Sequence, residues 1–241
     1  MKFISFLLNK EAKFGIINNE SITDLTGKIS GADTLKALIE KQGIAEAKKY
    51  ANENPGNISL DDIQYLPLIP NPGKIICVGL NYSEHVKETN RTVEENPVVF
   101  HRFPESQTAH MQAIQRPIAS HSLDFEGEMA VIMGEGGKHI KPEEALNHIV
   151  GYSCYNESTI REWQRHTRQF GMGKNFEKTG SFGPHMVLAE DIKDYKQLTL
   201  ETRLNGNVMQ NAKLSQLIFD IPILISYVSK AMAWRAGDVL V

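Results

Sequence analysis

The stretch Leu123-Asp124-Phe125-Glu126-Gly127-Glu128-Met129-Ala130-Val131-Ile132-Met133 constrains this chain more than any other. It runs into a continuous apolar segment that stops at Gly134, which predicts a strand. Residues two apart on a strand share a face. Glu126 and Glu128 therefore project side by side from a face that continues as Ala130 and Ile132. Like charges held together repel, and burial adds to the cost of each. A divalent cation removes both penalties, and two carboxylates leave room on it for a third ligand and water. The plainer alternative is a pair of solvated glutamates on an edge strand.

Composition narrows the setting. A formal net charge of −3 over 241 residues argues against a nucleic-acid partner. No apolar run approaches the roughly 20 residues of a membrane span, so no membrane partner is expected. Met1–Leu8 is too short for a signal peptide and no small-residue cleavage site follows it, so a cytoplasmic protein is expected. The two cysteines, Cys77 and Cys154, form no C-x-x-C. They imply a reducing compartment, and both read as small buried hydrophobes.

Residues 1–70 read as a small N-terminal unit. Phe3–Leu8 and Phe14–Asn18 form a hairpin, Ile22–Leu25 a third strand, and Thr34–Gln42 and Ile44–Glu53 two helices. Ile69-Pro70-Asn71-Pro72-Gly73 is the best domain boundary, dividing 1–70 from 71–241. Lys74–Gly79 is a short buried strand that empties into Leu80–Glu88, where His85 and Glu88 stand three apart. On one helical turn they form either an acid–base pair or a surface ion pair. Arg102, near the end of the strand Val98–Phe103, meets a carboxylate substrate or lies at the surface. His110 and His121 are candidate ligands by residue type alone.

The glycines at 134, 136 and 137 lack the context of a phosphate or dinucleotide loop, which excludes that function class. Ile149–Tyr155 reads as a strand followed by a helix capped by Ser158 or Thr159. That helix carries Glu157, Arg161 and Gln164 on one face, with Ile160, Trp163, Thr167 and Phe170 on a core face. Glu157 would be the third carboxylate, and Arg161 and Gln164 would bind an oxyanion beside it. The alternative is a solvated helix face. Lys174 sits in a glycine-flanked loop. Asn205-Gly206 marks a hairpin, and Asp220-Ile221-Pro222 opens a helix to Ala231.

In order along the chain, these motifs resemble the fumarylacetoacetate hydrolase family. They are G-L-N-Y-x-x-H-x-x-E at Gly79–Glu88, D-F-E-G-E-x-A-V at Asp124–Val131, G-Y-x-x-x-N at Gly151–Asn156 followed by Glu157, Arg161 and Gln164, G-K-x-F at Gly173–Phe176, and A-G-D-V at Ala236–Val239. The resemblance implies a β-rich α+β fold, a mixed β-sandwich or roll behind a small N-terminal α+β domain, in a homodimer. It implies Mg²⁺ or Mn²⁺ (Ca²⁺ as a crystal stand-in) on Glu126, Glu128 and Glu157. It makes His85 and Glu88 the acid–base dyad, Lys174 the catalytic cation, and Tyr82, Arg161 and Gln164 substrate-binding residues. The implied activity is metal-dependent hydrolysis of a C–C bond in an acylpyruvate or related 1,3-diketo acid. The alternatives are an isomerase or decarboxylase of the 2-hydroxyhepta-2,4-diene-1,7-dioate type in aromatic catabolism, or a non-catalytic relative. Two departures stand out. Glu157 replaces the usual aspartate, which displaces the carboxylate by about 1.5 Å. The chain stops at Val241, before the glycine loop and closing strand usual in the family, so the catalytic domain reads as shortened.

Overall fold

The computed structural model describes residues 1–18, 20–82 and 94–241. The fold is β-rich α+β, as the resemblance implies. Strands β1 (Lys2–Leu8), β2 (Glu11–Asn18) and β3 (Ser21–Asp24) form the expected meander. Helix α1 (Leu35–Glu40) starts at Thr34, whose hydroxyl accepts from the Ala37 N–H, a standard cap. Helix α2 (Ile44–Glu53) follows it. Then come β4 (Ile75–Gly79), β5 (Val98–Arg102), β6 (Gly127–Met133), β7 (Ile149–Glu157) and β8 (Gly180–Leu188). Strands β9 (Thr199–Leu204) and β10 (Asn207–Lys213) form the hairpin around Asn205-Gly206. Helix α5 (Ile221–Ala231) and strand β11 (Val239–Leu240) close the chain.

A single mixed sheet runs in the order β3-β2-β1-β8-β7-β6-β11-β4-β5, with Ile58–Ser59 outside β3. Because β1 pairs with β8 through Lys2–Val187 and Phe3–Met186, residues before and after the Pro/Gly cluster share that sheet. The turn after residue 72 is tied to the chain's end: buried Asp238 accepts from the Lys74 and Arg235 N–H groups and pairs with Lys74 Nζ.

Strand β6 shows how the sheet is held. Ala130 and Ile132 face the core under α1 and α2, while Val131 and Met133 face the core under α5. A strand buried on both faces needs an apolar run, which is what Met129–Met133 supplies. Four local expectations change. The strand through Glu126 is broken: Leu123–Asp124 pairs with Thr159–Ile160, and β6 begins only at Gly127. The helix expected after Ser158 is the single turn α3 (Arg161–Gln164), so Glu157 ends a strand instead. Lys174 ends a short helix, α4 (Gly171–Lys174), and is not in a loop. Cys77 is buried as expected, but Cys154 is exposed. Among the described residues no helix is long and apolar enough to cross a membrane.

Candidate active site

The break before β6 brings the acids together. Glu126 N–H donates to Asn156 Oδ1 (3.1 Å), and the Glu157 N–H donates to the Glu126 carbonyl (2.7 Å). Glu128 pairs across the ladder with Tyr155, so Glu157 is its diagonal neighbour on the same face. The carboxylates are close enough for Glu126 to act on both Glu128 and Glu157. Burial, then Glu157 and Glu126, pushes the Glu128 carboxyl well above the usual range. Burial first, with Glu126 adding to it, raises Glu157 as well, and Lys174 and Arg102 partly offset that rise.

Cations answer two of the acids. Lys174 Nζ lies 3.0 Å from both Glu126 Oε1 and Glu157 Oε1, and 4.8 Å from the centre of the Phe100 ring. It is buried. Gly173 makes that placement possible, since a Cβ there would stand 2.4 Å from the Gln164 amide nitrogen. Arg161 Nη1 reaches Glu126 Oε1 at 2.9 Å, while its Nε holds Asp124 at 2.7 Å. Gln164 Oε1 accepts from Arg161 Nη1 at 3.1 Å. Thr159 also donates its hydroxyl to Glu126 Oε1.

Arg102 corrects both readings offered for it. Its guanidinium is buried, neither at the surface nor lining the cleft, and it holds Glu157 from behind. It reaches Glu157 Oε1 at 3.3 Å, the Ser158 carbonyl at 3.1 Å and Thr179 Oγ1 at 2.8 Å. Glu128 is treated differently. Among the described residues, no hydrogen-bond donor or cation reaches its carboxylate.

Glu126 and Glu128 border two adjoining cavities of about 340 and 230 Å³, with Glu157 buried behind them. Both contain Glu126, Asp124 and Arg161; Tyr82 and Glu128 line the larger, Gln164 and Lys174 the smaller. Leu80 lines both with φ +58°, an uncommon conformation for a bulky residue and a sign of local strain at the cleft. Burial, then Glu128, raises the Tyr82 phenol, which keeps it a neutral hydrogen-bonding group. His85 and Glu88 lie outside the described residues. His110 packs edge-on against Tyr65 and His121 lies beside Arg116, so neither joins this cluster.

Comparison with known proteins places the chain in a family. Residues 74–241 match the family model described as fumarylacetoacetate (FAA) hydrolase C-terminal. The chain belongs to the fumarylacetoacetate hydrolase family. It is similar to the mitochondrial oxaloacetate tautomerase fahd2 of Xenopus laevis, 34% identical over 83% of this chain and 63% of that protein. It is also similar to the oxaloacetate tautomerase YisK of Bacillus subtilis, 36% identical over 85% of this chain and 70% of that one. The alignment thus spans less than two thirds of the Xenopus relative's length. A fumarylacetoacetate hydrolase structure from Exiguobacterium antarcticum superposes with a TM-score of 0.87 at 30% identity, covering all of this chain and 85% of the other. In this family the named relatives are enzymes, and the acids described above occupy the domain that the family model covers.

Asn156 stands in a quoted motif that implies no role for it, and Gln210 stands in none. Thr159 was readable only as a cap, and its hydroxyl serves Glu126 instead. Asp124 stood inside a quoted motif without a role.

Proposed function

We propose that this chain is a divalent-metal-dependent enzyme that interconverts the keto and enol forms of a 2-oxo acid of the oxaloacetate type. Glu126, Glu128 and Glu157 would hold the ion. The observation that carries this reading is the Glu128 carboxylate. It borders a cleft beside two other acids; burial, Glu157 and Glu126 raise its pKa, Lys174 offsets that rise only in part, and no described side chain pairs with it. Three carboxylates form a hard-oxygen donor set suited to Mg²⁺ or Mn²⁺. Among the described residues no three such groups stand in ligating array, and Lys174 Nζ lies between Glu126 and Glu157. The extra methylene of Glu157 favours the less exacting coordination of Mn²⁺ over the strict octahedron of Mg²⁺.

A bound divalent ion supplies Lewis acidity toward adjacent keto and carboxylate oxygens. The chain's own residues supply the rest. Lys174 and Arg161 bring positive charge to the cleft wall, where a developing enolate oxygen is stabilised in a partly dry setting. Arg102 holds the Glu157 carboxylate so that it does not swing away. His85 and Glu88 carry the proton between carbon and solvent in this reading. Tautomerisation asks only for that transfer, and it is the reaction named for both curated relatives.

Hydrolysis of an acylpyruvate, the activity that the motifs favour, is the second reading. It needs in addition a water that the His85–Glu88 pair activates. The deciding experiment follows enol-oxaloacetate and acetylpyruvate by ultraviolet absorbance, with Mn²⁺ and with chelator. Loss of enol-oxaloacetate faster than the spontaneous rate, abolished by chelator and by Glu128→Gln, is the expected result. Cleavage of acetylpyruvate alone would select the hydrolase, and Mn²⁺-independent turnover would refute the metal reading.

A further inference from the structure

We propose that Gln210, on the β9–β10 hairpin, is a positioning residue that sets the spacing of Glu126 and Glu128. This rests on the metal reading above. The segment Glu126-Gly127 sits where the β6–β7 ladder begins, and its two N–H groups bond to side chains instead of backbone. Buried N–H groups left unpaired are costly, so each must find an acceptor. Glu126 N–H finds Asn156 Oδ1, and Gly127 N–H finds Gln210 Oε1 at 2.8 Å. The two side-chain amides thus stand in for backbone acceptors and fix the peptide between the paired acids.

The hairpin is built to reach that peptide. Thr202 and Gln210 are directly opposite in the β9–β10 register, so both side chains project from one face. That face meets Gly127: a Cβ on residue 127 would lie 1.9 Å from Thr202 Oγ1 and 3.3 Å from Gln210 Oε1. Only glycine allows so close an approach. The ladder shifts register just past Thr202, which increases local twist at the point of contact. The same hairpin lines the 340 Å³ cavity through Met209, Gln210 and Asn211. It is therefore one wall of the site as well as the brace for two of its acids. Nothing in local sequence links Gln210 to Gly127, which are 83 residues apart.

The test is direct Mn²⁺ binding to the full chain, read as free aqueous Mn²⁺ by electron paramagnetic resonance. Gln210→Met keeps the volume and loses the accepting oxygen. Its Mn²⁺ affinity should fall by about 10- to 100-fold, the usual effect of removing a group that orients a ligand. Gln210→Glu keeps an accepting oxygen and should bind Mn²⁺ at least as tightly as wild type. Wild-type affinity in Gln210→Met, or equal loss in both variants, overturns the inference. If Gln210→Met does not fold, Gly127→Ala and Gly127→Ala/Thr202→Ala decide. Recovery of Mn²⁺ binding when Thr202 is trimmed supports the clamp, and equal loss in the two overturns it. A wild-type chain that binds no Mn²⁺ refutes the metal reading and this inference with it. Binding by wild type with an unaffected Gln210→Met refutes this inference alone.

Discussion

Replacing Arg102 with leucine tests whether an ion pair, rather than apolar packing, holds Glu157 at the end of its strand. Both side chains are essentially out of solvent. The substitution removes the 3.3 Å contact to Glu157 Oε1 and the 3.1 Å bond to the Ser158 carbonyl. Losing one partner of a buried pair costs about 3–5 kcal/mol, because the remaining charge is uncompensated. Lys174 still stands 3.0 Å from Glu157, which places the charge penalty near the lower end, about 3 kcal/mol. The orphaned Ser158 carbonyl adds about 1 kcal/mol. Thr179 and Ser106 add little, since their hydroxyls keep bonds to the Phe176 and Phe103 carbonyls. The sum is about 4 kcal/mol, or a melting temperature lower by about 8–16 °C for a chain of this size. Urea and thermal unfolding should be followed by circular dichroism at fixed protein concentration, so that any assembly contributes equally. The double variant Arg102→Leu/Glu157→Gln removes the stranded charge and should recover about 1–3 kcal/mol. A loss below about 1 kcal/mol in the single variant, the scale of one neutral hydrogen bond, would refute the argument. So would a double variant as unstable as the single one.

Lys174→Met should separate binding from turnover. The ammonium and a bound cation draw on the same oxygens of Glu126 and Glu157, so Mn²⁺ affinity should hold or rise. Turnover should drop by about 10²- to 10³-fold, as when one oxyanion donor is lost. A collapse of Mn²⁺ affinity would show that Lys174 shapes the site instead. A different region sets an acid limit on stability. Burial, then Lys2 and His110, lowers the His185 imidazole to about 4. Folded His185 therefore stays neutral where the unfolded chain binds a proton, so stability is lost as pH falls from about 6.5 towards 4. His185→Asn should flatten that part of the melting-temperature profile, and an unchanged profile would reject the assignment.

Patterns carried by neighbours in sequence were legible, and patterns carried by distant partners were not. The first hairpin, the Asn205-Gly206 turn and the helix to Ala231 follow local propensity, and the structure keeps them, with the second hairpin strand starting three residues earlier at Glu11. The Glu126–Glu128 stretch was readable as a place where charge needs a partner. Its break was not, because the acceptors that make a break affordable come from Asn156 and Gln210. The helix expected after Ser158 failed for a related reason. Ser158 and Thr159 have the hydroxyls of a cap, but Ser158 Oγ donates to Asn156 and Thr159 Oγ1 donates to Glu126. With both caps engaged elsewhere, β7 extends to Glu157 and the helix shrinks to one turn with no side-chain cap. A glutamate buried at a strand end looks wrong locally and becomes tolerable through Arg102, 55 residues earlier, and Lys174. The departures from local expectation thus fall together around the same few carboxylates. Local rules yield where longer-range polar bonds outweigh them, and a cluster of such yielding points marks a site built for chemistry more than for packing.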